Sequence, residues 1–344
     1  MGHDKISVGK RTLGAGHTYV IAEIGSNHAT SLETALESID AAADCGADAV
    51  KFQSLNVSEQ YHTPPEEIIR LHEKIDLDES WYGKLRERCD YKNVDFISSP
   101  TYPRSVELLE AAGVKAFKIA SAQVGTFSSL VRQVARTGKP VFFSTGIVDL
   151  AGIGAVVRIF EEENNPNYVI LHCSSIYPLP YERVNLQQIR KYRDFFGCLV
   201  GYSDHTEGPF ISAAAVALGA VVIEKHFTLS KNMDSPDASL SMEPAEFQML
   251  VSGIRAVDQA MKQASRHRIE PEEASFKKRI EEKLILAKGI RAGEFFESSD
   301  FLLKRASSGV NADALPVILE NLVAKRDIPA GTLLEWSDLN GIIK

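Results

Sequence analysis

The 344-residue chain holds few cysteines, an acidic charge balance and no long apolar run. Its four cysteines, Cys45, Cys89, Cys173 and Cys198, form no C-x-x-C pair. That spacing speaks against a zinc–thiolate site and for reduced thiols in a cytoplasmic protein. A net charge of −8 argues against the phosphate backbone of nucleic acid as a general partner. No apolar stretch approaches the roughly 20 residues of a membrane span. The start, MGHDKISVGK, lacks the apolar core of a secretory signal. What remains is an ordinary globular balance, 44% hydrophobic and 24% charged.

Short β-rich runs alternate with helical patterns along the chain. The runs are Tyr19–Ile24, Asp48–Gln53, Val94–Ser99, Lys115–Ser121, Pro140–Thr145, Tyr168–Ser174, Cys198–Ser203 and Ala220–His226. They are apolar on both faces, as strands covered on both sides must be. Between them, segments such as SLETALESIDAAADCGA repeat apolar residues at helical spacing. This alternation predicts an α/β fold, a (β/α)8 TIM barrel, with a doubly wound sheet as the alternative. KISVGKRTLGAG before the first run reads as a hairpin plugging the barrel's N-terminal end. The catalytic barrel is expected over residues 1–265 and a polar linker over 266–283. A small domain is expected over 284–344, where GIRAGEFFESSD (Gly289–Asp300) recurs as DIPAGTLLEWSD (Asp327–Asp338).

In such a barrel the chemistry sits at the C-terminal strand ends. Alternation places Lys51 with Gln53, Ser203 with His205, and Glu224 with His226 on common faces. A lysine inside an apolar strand is rarely buried without a partner, so the three lysines gathered at one mouth, Lys51, Lys118 and Lys225, point to a shared anionic ligand or to structural ion pairs. Serines at strand ends serve either as helix caps or as a phosphate cradle.

The series IAEIGSNH (Ile21–His28), VKFQ, FISSP, FKIAS, STG, YP, SDHT and EKHFT resembles, in order and through nearly the whole chain, the sialic acid synthase family, whose members include spore-coat polysaccharide enzymes. The resemblance implies a TIM barrel followed by a C-terminal SAF (antifreeze-like) domain. It implies condensation of phosphoenolpyruvate with an open-chain N-acetylated amino sugar, giving a nine-carbon 2-keto acid and phosphate. It also implies a divalent metal, Mn²⁺ or Mg²⁺, held by His205 and His226. On the same basis Lys51, Ser99, Lys118, Ser121, Ser144 and Ser203 match phosphoenolpyruvate-binding positions, and Ser175 falls at a substrate-binding position where the acceptor sugar is handled. Glu23 and Gln123 match catalytic positions, and Tyr177 and Asp237 match acceptor-contacting ones. Arg305 matches the SAF arginine that reaches a partner's sugar pocket in a domain-swapped homodimer.

Some positions depart from the family pattern. Gln123 stands where a carboxylate is usual, and Ser175 replaces an asparagine. Ala306 replaces the proline after the SAF arginine, Ser99 replaces a threonine, and the loop after VKFQ reads as short. Two rival readings follow. One is a metal-free Schiff-base pyruvate aldolase with Lys118 or Lys225 as nucleophile; the other is a non-catalytic sugar-phosphate binder, motivated by the lost charge at Gln123.

Overall fold

In the computed structural model, which describes residues 4–262, 266 and 268–341, the chain forms two compact units, Met1–Lys262 and Gln263–Lys344. The expected boundary at residue 265 lies outside the described residues.

The first unit opens with an antiparallel hairpin, β1 (Ile6–Val8) and β2 (Arg11–Leu13). Eight parallel strands then close a barrel in the order β10-β3-β4-β5-β6-β7-β8-β9. They are β3 (Tyr19–Gly25), β4 (Ala49–Ser54), β5 (Asp95–Pro100), β6 (Ala116–Ile119), β7 (Val141–Ser144), β8 (Tyr168–His172), β9 (Val200–Asp204) and β10 (Val222–His226). Helices separate the strands, so the doubly wound alternative is ruled out and this unit is a (β/α)8 barrel.

Because side chains alternate across a strand, each strand supplies two cores. Val20, Ala22, Val50, Phe52, Phe96 and Ile223 belong to the layer packed on the helices. Tyr19, Ile21, Ala49, Ile97, Ala116, Phe142, Val169, Leu171 and Val222 form a second, interior cluster. Ile6, Val8 and Leu13 of the hairpin join that interior cluster, so the hairpin plugs the barrel as expected. Gly201 is required in the wall, since a Cβ there would lie 2.6 Å from both Leu171 Cδ2 and the Val222 carbonyl oxygen.

The connection after β4 is not short. It carries helices Val57–Gln60 and Glu66–Ile75 and a 3-10 turn Glu79–Trp81. The helix Glu66–Ile75 sets Ile68, Leu71 and Ile75 at helical spacing, although it buries only His72.

In the second unit an exposed helix, Pro271–Ile280, precedes β11 (Glu282–Leu286). β11 pairs with β12 (Phe301–Arg305), and β13 (Leu322–Ala324) with β14 (Leu339–Gly341). The repeat is structural as well as sequential. Gly293 N donates to the Ala324 carbonyl, and Gly331 N, its counterpart, donates to the Leu286 carbonyl. Ile290 and Ile328 exchange both backbone hydrogen bonds. Lys288 pairs with Asp300 at 2.7 Å, and Arg326 with Asp338 at 2.7 Å. The two halves therefore clasp one another about a pseudo-two-fold axis over a shared core that includes Leu286, Ile290, Ile328 and Leu334.

Candidate active site

Moving along the inward-facing positions toward the strand ends, apolar side chains give way to polar ones. Ile21 is followed by Glu23, Ala49 by Lys51, Ile97 by Ser99 and Ala116 by Lys118. Phe142 is followed by Ser144, Leu171 by Cys173, Gly201 by Ser203 and Val222 by Glu224. One step of the pleat thus converts a sealed base into a charged mouth. There a cavity of about 190 Å³ is lined by, among others, Glu23, Lys51, Lys118, His205, Glu224 and His226. The predicted residues Ser121, Ser144, Ser175, Tyr177 and Ser203 line it too.

The charges interlock. Lys51 Nζ lies 3.1 Å from Glu23 and 3.2 Å from Glu224, and donates to Ser99 Oγ at 3.5 Å. Lys118 Nζ lies 3.5 Å from the other oxygen of Glu224. Ser203 Oγ donates to that same oxygen at 2.9 Å, and Gln53 Nε2 donates to Glu23 at 2.6 Å. Burial opposes the charge on Lys51, Lys118 and Glu224 alike, but their partners differ. For Lys51, Glu224 and Glu23 outweigh burial and raise the pKa. For Lys118, burial wins over Glu224, with repulsion from Lys51 added, and the pKa falls. Glu224 is pushed up by burial but pulled down further by Lys118 and Lys51, to about 2.

The two histidines sit on adjacent strands with ring centroids 5.6 Å apart. His205 Nδ1 lies 2.7 Å from the Ser174 carbonyl oxygen. A carbonyl only accepts, so Nδ1 carries the proton and the Nε2 lone pair is free. Burial, with His226 next in importance, lowers the His205 pKa to about 3, which keeps the ring neutral. The Tyr177 ring lies against that of His205, centroids 4.0 Å apart. Gly146 N donates to Ser121 Oγ at 2.9 Å. A Cβ at Gly146 would fall 2.2 Å from Ser175 Oγ and 2.8 Å from Ser121 Oγ, so only glycine leaves both hydroxyls at the cavity wall.

Four predicted residues lie elsewhere. Ser99 is buried behind Lys51. Gln123 is turned away from the cavity: it follows Ser121 by two residues in the one-turn helix Ser121–Val124, which sets their side chains on opposite faces. Asp237 accepts from Ser26 N at 3.1 Å and Ser26 Oγ at 2.9 Å, pinning the β10 loop across the end of β3. Arg305 is exposed at the end of β12 in the second unit. Lys225 also lies off the cavity, its Nζ 3.1 Å from Asp204. Gln53, Cys173 and Glu224 line the cavity without having been assigned a role from sequence. The signal for Glu224 is its place two residues before His226, on the same strand face.

The NeuB family model matches residues 38–266. The chain belongs to the NeuB family. Over 98% of its length it is 38% identical to an uncharacterized protein of Methanocaldococcus jannaschii, covering 99% of that protein. It is 35% identical to N,N'-diacetyllegionaminic acid synthase of Campylobacter jejuni, over 90% of this chain and 96% of that one. Among solved structures it resembles the N-acetylneuraminic acid synthetase of Leptospira borgpetersenii, with 32% identity and a TM-score of 0.74 over 80% of this chain and 96% of the other. NeuB relatives with named activities are thus synthases of sialic-acid-type sugars. Among the described residues, no helix is long and apolar enough to cross a membrane.

Proposed function

We propose that this NeuB-family protein condenses phosphoenolpyruvate with the open-chain aldehyde of an N-acetylated amino sugar, yielding a sialic-acid-like 2-keto acid and phosphate. The observation that carries the reading is a pair of buried lysines facing serine hydroxyls in one cavity with two histidines. Lys51 and Lys118, with Ser121, Ser144 and Ser203, hold the carboxylate and phosphate of phosphoenolpyruvate through charge-assisted hydrogen bonds, while Ser99 supports Lys51 from behind and Ser175 faces the acceptor. Glu23, gripped by Lys51 and Gln53, handles the proton at the acceptor end. Tyr177 orients the acceptor, and Asp237 supports it by fixing the loop over β3.

The donor set fits a divalent cation, Mn²⁺ or Mg²⁺. His205 offers a free Nε2 lone pair, and His226 has a buried Nδ1 with no hydrogen-bond partner. No group of three or more candidate side chains is present among the described residues, so two histidines would leave positions for water and substrate. Such an ion, when bound, supplies Lewis acidity at the aldehyde oxygen. We read the second unit as a SAF domain and the active form as a domain-swapped homodimer in the cytoplasm, with Arg305 serving the partner's mouth.

The test is phosphate release from phosphoenolpyruvate across a panel of N-acetylated hexosamines. With label in the bridging oxygen, the label leaves in the phosphate; label retained in the keto acid overturns the mechanism. The depressed Lys118 pKa favours one second reading, a Schiff-base aldolase. Borohydride trapping of pyruvate on Lys118, without phosphate release, would establish that reading instead. Stabilisation by phosphoenolpyruvate with no turnover on any acceptor would mark a non-catalytic binder.

A further inference from the structure

We infer that Glu224 is a positioning residue, holding the Lys51 and Lys118 ammonium groups charged and at a set spacing for a ligand with two anionic ends. The inference rests on the phosphoenolpyruvate reading above and adds a residue to it. Glu224 sits between the lysines, one oxygen 3.2 Å from Lys51 and the other 3.5 Å from Lys118. It is 5% exposed, and Ser203 Oγ, at 2.9 Å, fixes its rotation. A carboxylate so placed turns two mutually repelling cations into a bracket of defined width. Phosphoenolpyruvate, with a carboxylate and a phosphate ester on the same carbon, is a ligand of that shape.

The two lysines depend on Glu224 unequally. Lys51 also touches Glu23, at 3.1 Å. For Lys118, Glu224 is the only carboxylate in ion-pair contact among the described residues. The titratable groups around Lys118 are Glu224 on β10, Lys51 on β4, Cys173 on β8 and Glu23 on β3. Remove the Glu224 charge, and Lys118 is left buried beside another cation. Its pKa, already lowered, falls further, and its charge disappears at a lower pH.

The experiment is phosphoenolpyruvate binding by calorimetry from about pH 7 to about pH 9.5, a range below the ordinary lysine value of about 10.4. Glu224→Gln keeps the shape of the side chain and removes the charge. Its affinity should fall about tenfold per pH unit once the pH passes the lysine pKa, beginning at lower pH than in wild type. Glu224→Asp keeps the charge but draws it back by one carbon, so its limb should lie between the two. Lowering the pH should rescue both variants. A loss of affinity that is equal at every pH, in whichever variant folds, overturns the inference and leaves Glu224 as packing. Wild-type protein that binds no phosphoenolpyruvate at any pH would remove the proposed function itself.

Discussion

The two ends of the barrel bury charge in opposite ways. At the base, Asp48 accepts from Arg11 Nε at 2.8 Å, Val20 N at 2.9 Å and Arg255 at 2.7 Å, with His17 at 3.0 Å. Asp258 takes both Thr18 N and Thr18 Oγ1, and Asp95 takes Tyr19 Oη. Each carboxylate there is met by fitted donors. At the mouth, Ser144 Oγ and His226 Nδ1 are buried without a hydrogen-bond partner, and Glu23 Oε2 and Glu224 Oε2 both lean on the one Lys51 ammonium, at 3.1 and 3.2 Å. The carboxylates are balanced by lysine, but the Ser144 hydroxyl and the His226 ring nitrogen have capacity that is not used within the protein. A buried polar atom left unpaired costs free energy, so the mouth carries a destabilising load that a polar ligand can relieve. The base stabilises the fold, and the mouth is organised for something that is not part of the chain.

The comparison can be broken most directly at His226. Replacement by alanine should cut turnover about a thousandfold, about 4 kcal/mol of barrier. The thermal midpoint should hold or rise, because the ring nitrogen at Nδ1 has no hydrogen bond to lose. A large drop in the midpoint would show the mouth to be structural after all.

Asp48→Asn asks the reverse question. It should cost about 3 kcal/mol of stability, by breaking a buried ion-pair network, and leave turnover per folded molecule intact. Burial pushes the Asp48 pKa up, but Arg255, the Val20 N–H and His17 outweigh it and hold it below its ordinary value. A depressed carboxyl stabilises the fold above its unfolded pKa, about 3.9, and loses that contribution as pH falls through the folded value. The urea midpoints of wild type and Asp48→Asn should therefore differ at neutral pH and converge below about pH 3.9.

The smallest effect is expected at Gln123, whose Oε1 is buried and unpaired although the side chain faces away from the cavity. Gln123→Leu should raise stability by about 1 kcal/mol in equilibrium unfolding and leave phosphoenolpyruvate affinity unchanged. A fall in that affinity would return Gln123 to the site.

The barrel was legible because strands buried on both faces stand out as uninterrupted apolar runs, and because alternation then assigns each polar residue near a strand end to the inside or the outside. That rule paired Glu224 with His226, but the expectation that Lys225 joins Lys51 and Lys118 in the mouth ran against it, and Lys225 in fact pairs with Asp204 off the cavity. The rule itself fails where the chain leaves the strand. Gln123 sits in a one-turn helix, where a two-residue step reverses the face. Asp237 sits in a loop whose bonding to Ser26 links positions 211 residues apart. In the connection after β4, by contrast, the helix Glu66–Ile75 carries Ile68, Leu71 and Ile75 at helical spacing, a signal present in the sequence that a strand-based reading passes over.

The seam of the barrel has a consequence for how the protein is made. β3 pairs with β10, the last barrel strand, and within that pairing Glu23 lies opposite His226. At about 5–20 residues per second, translation takes about 10–40 s to pass from Tyr19 to Val222. Through that interval β3 has a neighbour on only one side, and Glu23 has neither Glu224 nor His226 beside it. The nascent chain therefore holds both lysines well before the carboxylate that brackets them. The site comes into being in the same event that closes the barrel, so no partly synthesised chain can carry out half of its chemistry.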